Sequence, residues 1–191
     1  MQSSIANLFL ALQATIANLQ DGAGNTYFKY IDQDLGQLDV EQPKVLWPCV
    51  LIDIDNLIYT SMSSNTQQGQ GHIRLRLGFP AFSASGASTP DAYKQKSIYF
   101  YELEQILHQA LQGQTPDDNV FENIGDGELP EPLLANTFGA FNRISAATEK
   151  GRPDFIRVRQ ITYTIAYDDY STQPTQTLAS TPALNLTPEI L

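Results

Sequence analysis

The sequence has little cysteine, little positive charge and no long apolar run, and each shortage excludes a class of protein. Its single cysteine, Cys49, excludes an internal disulfide framework and is compatible with folding in a reducing compartment. The chain has 11 Lys and Arg residues against 21 Asp and Glu, so it lacks the basic stripe that a general nucleic-acid binder needs. No segment holds the roughly 18 consecutive apolar residues of a transmembrane helix, which predicts no membrane span.

Catalytic and metal-binding motifs are missing as well. There is no HExxH, CxxC, Walker or GxSxG pattern. His72 and His108 fall in different predicted elements, and Cys49 has no second ligand at metal-binding spacing. The run Asp-Ile-Asp-Asn at 53–56 imitates the start of a calcium loop but lacks the glycine and the distal glutamate. We therefore expect no enzyme, no metal and no cofactor.

The composition that remains is that of a globular protein. Apolar residues make up 42% of the chain and charged residues 17%, which suits a packed core. At 191 residues the length fits one domain with long excursions. We predict a single α+β domain over residues 1–170, interrupted by a long acidic loop at 114–135. Residues 171–191 are rich in Thr, Pro and Leu without a helical stripe, and they predict an extended C-terminal arm.

Two helices are predicted from apolar residues at helical spacing. The first covers residues 3–20, and the second covers 90–112. Thr89 suits the N-cap of the second helix and is followed by a proline at the first helical position. Glu102 and Glu104 on this helix are expected to be solvated side chains and not an acid–base pair.

The strand signals occur in two pairs. Residues 47–59 and 72–79 alternate between apolar and polar side chains, and a polar segment at 60–71 is predicted to connect them. A second hairpin is predicted from 136–148 and 155–169. The sequence thus predicts an α+β fold with a mostly antiparallel sheet and two helices packed on one face.

Charged residues alternate with apolar ones along three of these strands. An Arg-x-Arg pair on the strand 72–79 would lie opposite an Asp-x-Asp pair on the strand 47–59, leaving one face of the sheet apolar and the other ionic. Opposite charges directly across from each other contribute about 0.2–1 kcal/mol per pair and help to fix the register. The last strand carries a second Arg-x-Arg pair. The six candidate interface residues are Arg157, Arg159, Arg74, Arg76, Asp53 and Asp55.

Three interpretations of these charges remain open at this point. The face is solvated and its ion pairs set the register, or it meets a partner, or it binds phosphate. In the second case Arg157 and Arg159 would meet acidic groups on a neighbouring subunit. The surrounding negative charge disfavours phosphate binding.

The apolar pattern of the last strand changes phase along its length. Ile156 and Val158 are even-numbered, whereas Ile161 and Tyr163 are odd-numbered. A bulge near Gln160 would bring them to one face. Otherwise each half of the strand is covered on a different face, one by the core and one by a partner.

The order of these elements resembles that of the tail terminator and neck, or tail-completion, proteins of tailed bacteriophages and related contractile injection systems. The matching stretches are Pro48–Ile54, Ile73–Leu77, Leu103–Leu111 and Tyr163–Tyr167. The resemblance covers residues 1–168 and consists of hydrophobic patterns.

The resemblance implies a structural protein that forms a ring, commonly a hexamer, at the end of a phage tail or injection tube. Such a ring stops tube polymerisation and joins the tube to the neck or cap. The implied partners are other copies of the chain and the tail tube, sheath or neck proteins, with no membrane and with DNA only as passing cargo. The implied location is the virion or injection particle, after assembly in the bacterial cytoplasm. The alternative is a generic α+β protein-binding adaptor module with no assembly role.

Overall fold

A computed structural model describes residues 4–80, 86–116, 138–150 and 156–169. These residues form one sheet in the order β1-β2-β3-β5-β4, in which only the β1–β2 pair is parallel. The predicted α+β class, with a mostly antiparallel sheet, is confirmed. The elements are α1 (Ser4–Ala17), β1 (Tyr30–Gln33), a short 3-10 helix (Gln37–Asp39), β2 (Cys49–Ser63), β3 (Thr66–Pro80), α2 (Asp91–Leu111), β4 (Asn142–Thr148) and β5 (Ile156–Asp169).

Both helices pack on the same face of this sheet. Each buries residues spaced three or four apart, such as Leu8 and Leu12 on α1 and Leu103 and Leu107 on α2. They contact the apolar side chains on that face of the central strands, which are odd-numbered on β3 and β5 and even-numbered on β2; Leu75 of β3 is fully buried. The apolar alternation of the strands and the helical stripes therefore build one core.

The hairpin of β2 and β3 is longer than predicted. We expected residues 60–71 to be a connection, but β2 continues to Ser63 and β3 begins at Thr66. That prediction was wrong because the residues at the turn end of this hairpin are polar and mostly exposed. A strand that is not buried needs no alternation of apolar and polar residues, and the strands were predicted from that alternation.

The phase change in β5 requires no bulge. β5 pairs with β3 in unbroken register from Ile156 to Asp169, so its odd-numbered residues all face the helices. Ile156 and Val158 point the other way and are buried in a second cluster with Leu38 and Leu51. The prediction of a bulge near Gln160 is therefore wrong. In the first half of β5, the face opposite the helices is covered by the chain's own segment 34–48. The alternative, in which a partner covers it, is therefore wrong as well.

Some predictions lie outside the described residues. These are nearly all of the acidic loop 114–135 and the whole arm 171–191. Within the described part of the chain, neither helix is long and apolar enough to cross a bilayer.

Candidate functional site

An ion cluster forms around Arg76 on the sheet face opposite the two helices. Arg76 is only 6% exposed. Its guanidinium donates hydrogen bonds to three carboxylates. The distances are 3.0 Å to Asp34 Oδ2, 2.8 Å to Asp39 Oδ1 and 2.8 Å to Glu149 Oε1. Burial lowers the pKa of Arg76, but the hydrogen bonds to the carboxylates outweigh it and hold that pKa above its usual value.

The three carboxylates come from two parts of the chain, the segment after β1 and the end of β4. Asp34 follows β1 and is held by a 2.9 Å hydrogen bond from its amide to the carbonyl of Ile52. Asp39 ends the 3-10 helix, and Glu149 follows β4. We expected Arg76 to face an Asp-x-Asp strand, but its cross-strand neighbour on β2 is Leu51. The cluster therefore fastens the segment after β1 and the end of β4 onto the sheet.

Arg74 lies in the arrangement that the sequence predicted. It is opposite Asp53 across the β2–β3 pair, with 3.0 Å between Nη2 and Oδ2, and it also pairs with Asp55. All three side chains remain partly in water. Exposed pairs of this kind contribute about 0.2–1 kcal/mol, so the trio contributes more to register than to stability.

Arg157 and Arg159 lie on the face that the helices cover, and not beside Arg74 and Arg76. Their cross-strand neighbours are Phe79 and Leu77, both core residues. Our expectation of a single ionic outer face carrying both arginine pairs is therefore wrong. The unbroken register of β5 directs all its odd-numbered side chains to the helix side.

Helix α2 supplies the side chains that contact Arg157 and Arg159. Arg159 Nε lies 2.5 Å from Glu104 Oε2, and this hydrogen bond raises the pKa of Arg159. Glu104, which we expected to be solvated, is buried. The guanidinium of Arg159 stacks on Tyr101 at 5.5 Å, and that of Arg157 lies 5.6 Å from the ring centre of Phe100. The acidic partner of Arg159 is thus in its own chain, while a role for these residues at an interface stays a prediction.

The free edge of β2, residues 53–63, has a different character. β1 pairs with β2 only along Cys49–Ile52, and within the described ranges no strand pairs with the rest of that edge. Three large apolar side chains there are exposed: Ile58 at 62%, Met62 at 61% and Tyr59 at 43%. Tyr59 is held against the sheet by a 2.9 Å hydrogen bond between its hydroxyl and that of Tyr167. The free edge therefore presents exposed apolar side chains on a mainly polar strand end.

The remaining titratable candidates do not come together. His108 on α2 has Nδ1 3.3 Å from the hydroxyl of Tyr163, and burial lowers the pKa of His108. His72 lies on β3 opposite Asp55, and Cys49 is buried. Among the residues that the structure describes, no group of three or more His, Cys, Asp and Glu side chains is placed to hold a metal ion.

Sequence reasoning missed the partners of Arg76. Asp34 lies 42 residues before it and Glu149 lies 73 residues after it, so no local pattern could have joined them. The free edge did carry a signal, since large apolar residues, Ile58, Tyr59 and Met62, occur at a strand end that also contains Thr60, Ser61 and Ser63.

No protein family model matches the chain, and no curated protein matches it. One solved structure with a similar chain is described as the virion of a native gene transfer agent (GTA) particle. The two chains are 10% identical with a TM-score of 0.47, and the similarity covers 88% of this chain and 100% of the other.

Proposed function

We propose that this protein is a structural assembly protein of a phage tail or contractile injection tube. Copies of it form a ring, six-fold as the sequence resemblance implies, at the end of the tube. The ring ends tube polymerisation and joins the tube to the neck or cap. The proposal places the protein in the virion or injection particle and assigns it no catalytic step.

The observation that carries the proposal is the free edge of β2. An exposed strand edge is a template for pairing with another chain, and soluble proteins usually protect such edges with lysine, proline or a covering segment. Residues 56–63 contain no charged residue and no proline, and the irregularities of the edge are the register shifts between Asp55 and Ile58 and between Ser61 and Ser63. Their exposed apolar side chains, Ile58 and Met62, are the kind that protein interfaces bury. An edge of this composition is suited to association.

The candidate charged residues fall into two groups, those near the free edge and those away from it. Asp53 and Asp55 lie at the start of the free edge, and Arg74 pairs with both of them from β3. We propose that these three residues flank the contact and align it. Arg76 and Arg159 are paired with carboxylates of their own chain, and we propose that they stabilise the subunit. Arg157 has no ion pair among those that the described residues form, which keeps it a candidate for contact with a neighbour.

Light scattering coupled to size-exclusion chromatography tests the proposal directly. The purified chain is measured alone and together with a tail-tube subunit encoded in the same genome, and the products are imaged by electron microscopy. We expect rings, formed alone or on the tube, and tubes that stop growing when the protein is added. A chain that stays monomeric with and without tube subunits, and leaves tube length unchanged, would instead support the adaptor module.

A further inference from the structure

We infer that the free edge of β2 is covered by the C-terminal segment 170–191 of a neighbouring copy, which adds a strand to the sheet. Strand addition supplies main-chain hydrogen bonds along the edge and pockets for alternate side chains. The inference rests on the proposed function only in that assembly supplies the neighbouring copy. It identifies which surface and which segment meet.

The acceptor is long enough for a full strand. Its 11 residues, 53–63, would extend over roughly 36 Å at about 3.3 Å per residue in a regular strand. Its backbone is already ordered by pairing with β3 on the other side, with register shifts between Asp55 and Ile58 and between Ser61 and Ser63. Only the entropy of the incoming segment must therefore be offset by the new contacts.

The donor matches the acceptor in charge and in length. Between Pro174 and Pro182 lies a proline-free run, Thr-Gln-Thr-Leu-Ala-Ser-Thr, which is rich in β-branched residues. This run of 7 residues spans roughly 23 Å when extended. From 170 to 188 the segment holds no charged residue, so pairing it with residues 56–63 desolvates no charge. The two flanking prolines are tolerated at the ends of an edge strand.

The geometry of β5 favours a neighbouring copy over the same chain. β2 and β5 are both antiparallel to β3, so both run toward the hairpin turn, and β5 stays paired as far as Asp169 opposite Gln67. Pairing within one chain would require residues after 169 to reverse direction and cross beyond the turn at 64–65. We therefore infer pairing with a neighbouring copy, which requires no such reversal.

Hydrogen exchange measured by mass spectrometry on the full chain tests this. We expect amides 175–181 to be protected at high protein concentration and to lose that protection on dilution. The variant I58K/M62K places two lysines on the free edge and should abolish the protection. The control V40K/L46K adds the same charge at residues that are 52% and 66% exposed on the segment 34–48, and it should leave the protection unchanged. Unchanged protection of β3 and β5 in both variants shows that the fold is intact.

Each other outcome overturns the inference in a distinct way. Protection that does not depend on concentration means pairing within one chain, and no protection at any concentration means no pairing. Equal loss of protection in both variants means that the free edge is not the acceptor. Light scattering on the same samples separates this inference from the proposed function. Rings in which 175–181 exchange freely contradict only the inference, whereas a protected closed dimer contradicts only the ring.

Discussion

At the scale of single residues, Arg74 and Arg76 differ in every property that decides the strength of an ion pair. They lie two positions apart on β3 and point to the same face. Arg74 shares its charge with two partly exposed aspartates, whereas Arg76 is buried under the segment 34–48 among carboxylates from distant parts of the chain. Burial, and not the sequence pattern, separates a register-setting pair from a structural one.

Replacing each arginine by methionine should reveal this difference. Arg76→Met leaves the carboxylates of Asp34 and Glu149 without their cation in a poorly hydrated site, and we expect a loss of about 3–5 kcal/mol in the free energy of unfolding. Arg74→Met is the matched control and should cost about 0–1 kcal/mol. Urea denaturation measures both values. Equal effects of the two substitutions would contradict the special role of Arg76.

Cys49 provides a test of burial at the same scale. Burial raises the pKa of its thiol to about 12. The folded chain should therefore hold almost no thiolate at about pH 8, where a free cysteine with a pKa of about 8.5 reacts readily. We expect one thiol per chain to react with a thiol reagent in denaturant and almost none in the folded state. Rapid labelling of the folded protein would show that this face of the sheet opens.

At the scale of elements, the sequence predicted those strands and helices whose burial pattern is regular. The second helix was predicted at 90–112 and is found at Asp91–Leu111, because its buried residues recur at helical spacing. The hairpin end was missed because its strands are exposed there. The sequence did not decide what buries the second face of β5. That face is covered by the segment 34–48, which lies more than a hundred residues earlier in the chain.

The two arginines of β5 should respond differently to neutralisation. Arg159→Gln removes the cation that pairs with buried Glu104, and we expect a loss of about 1.5–3 kcal/mol in the free energy of unfolding. Arg157→Gln removes only the contact with the ring of Phe100 and should cost about 0.5–1 kcal/mol. Thermal and urea unfolding of both variants measure the difference. A larger loss for Arg157→Gln would mean that the described contacts of Arg159 contribute little.

Gly69 on β3 leaves the space that the ring of Tyr167 on the neighbouring strand β5 occupies. A Cβ there would lie 2.6 Å from the ring atoms Cε1 and Cζ of Tyr167, which covers the glycine. Gly69→Ala should displace that ring, break its hydroxyl contact with Tyr59 and cost about 1–3 kcal/mol in stability. Gly22→Ala is the control, since nothing lies within 4 Å of a Cβ there. Tyr59 should also become more exposed in the Gly69 variant, which fluorescence quenching can detect.

At the scale of the whole molecule, the sequence indicated which residues are charged but not where their partners lie. Arg76 and Arg159 pair with carboxylates 37 to 73 residues away in the chain, and only the folded topology brings these groups together. Because those charges are satisfied internally, we propose the exposed apolar side chains Ile58 and Met62 on the edge of β2 as the surface for association. The assembly proposal therefore rests on apolar contact more than on the ionic face that the sequence first indicated.

The salt dependence of self-association distinguishes these two kinds of contact. Each copy carries a net charge of −10, so copies repel one another at low ionic strength. Raising the salt from about 0.01 M to about 1 M shortens the Debye length from about 30 Å to about 3 Å, which removes this repulsion but leaves apolar contact intact. We expect potassium chloride to strengthen association in sedimentation measurements; sulfate is avoided because it strengthens apolar burial directly. Weaker association at high salt would instead mean that ion pairs between copies, formed by Arg157, Asp53 or Asp55, hold the assembly together.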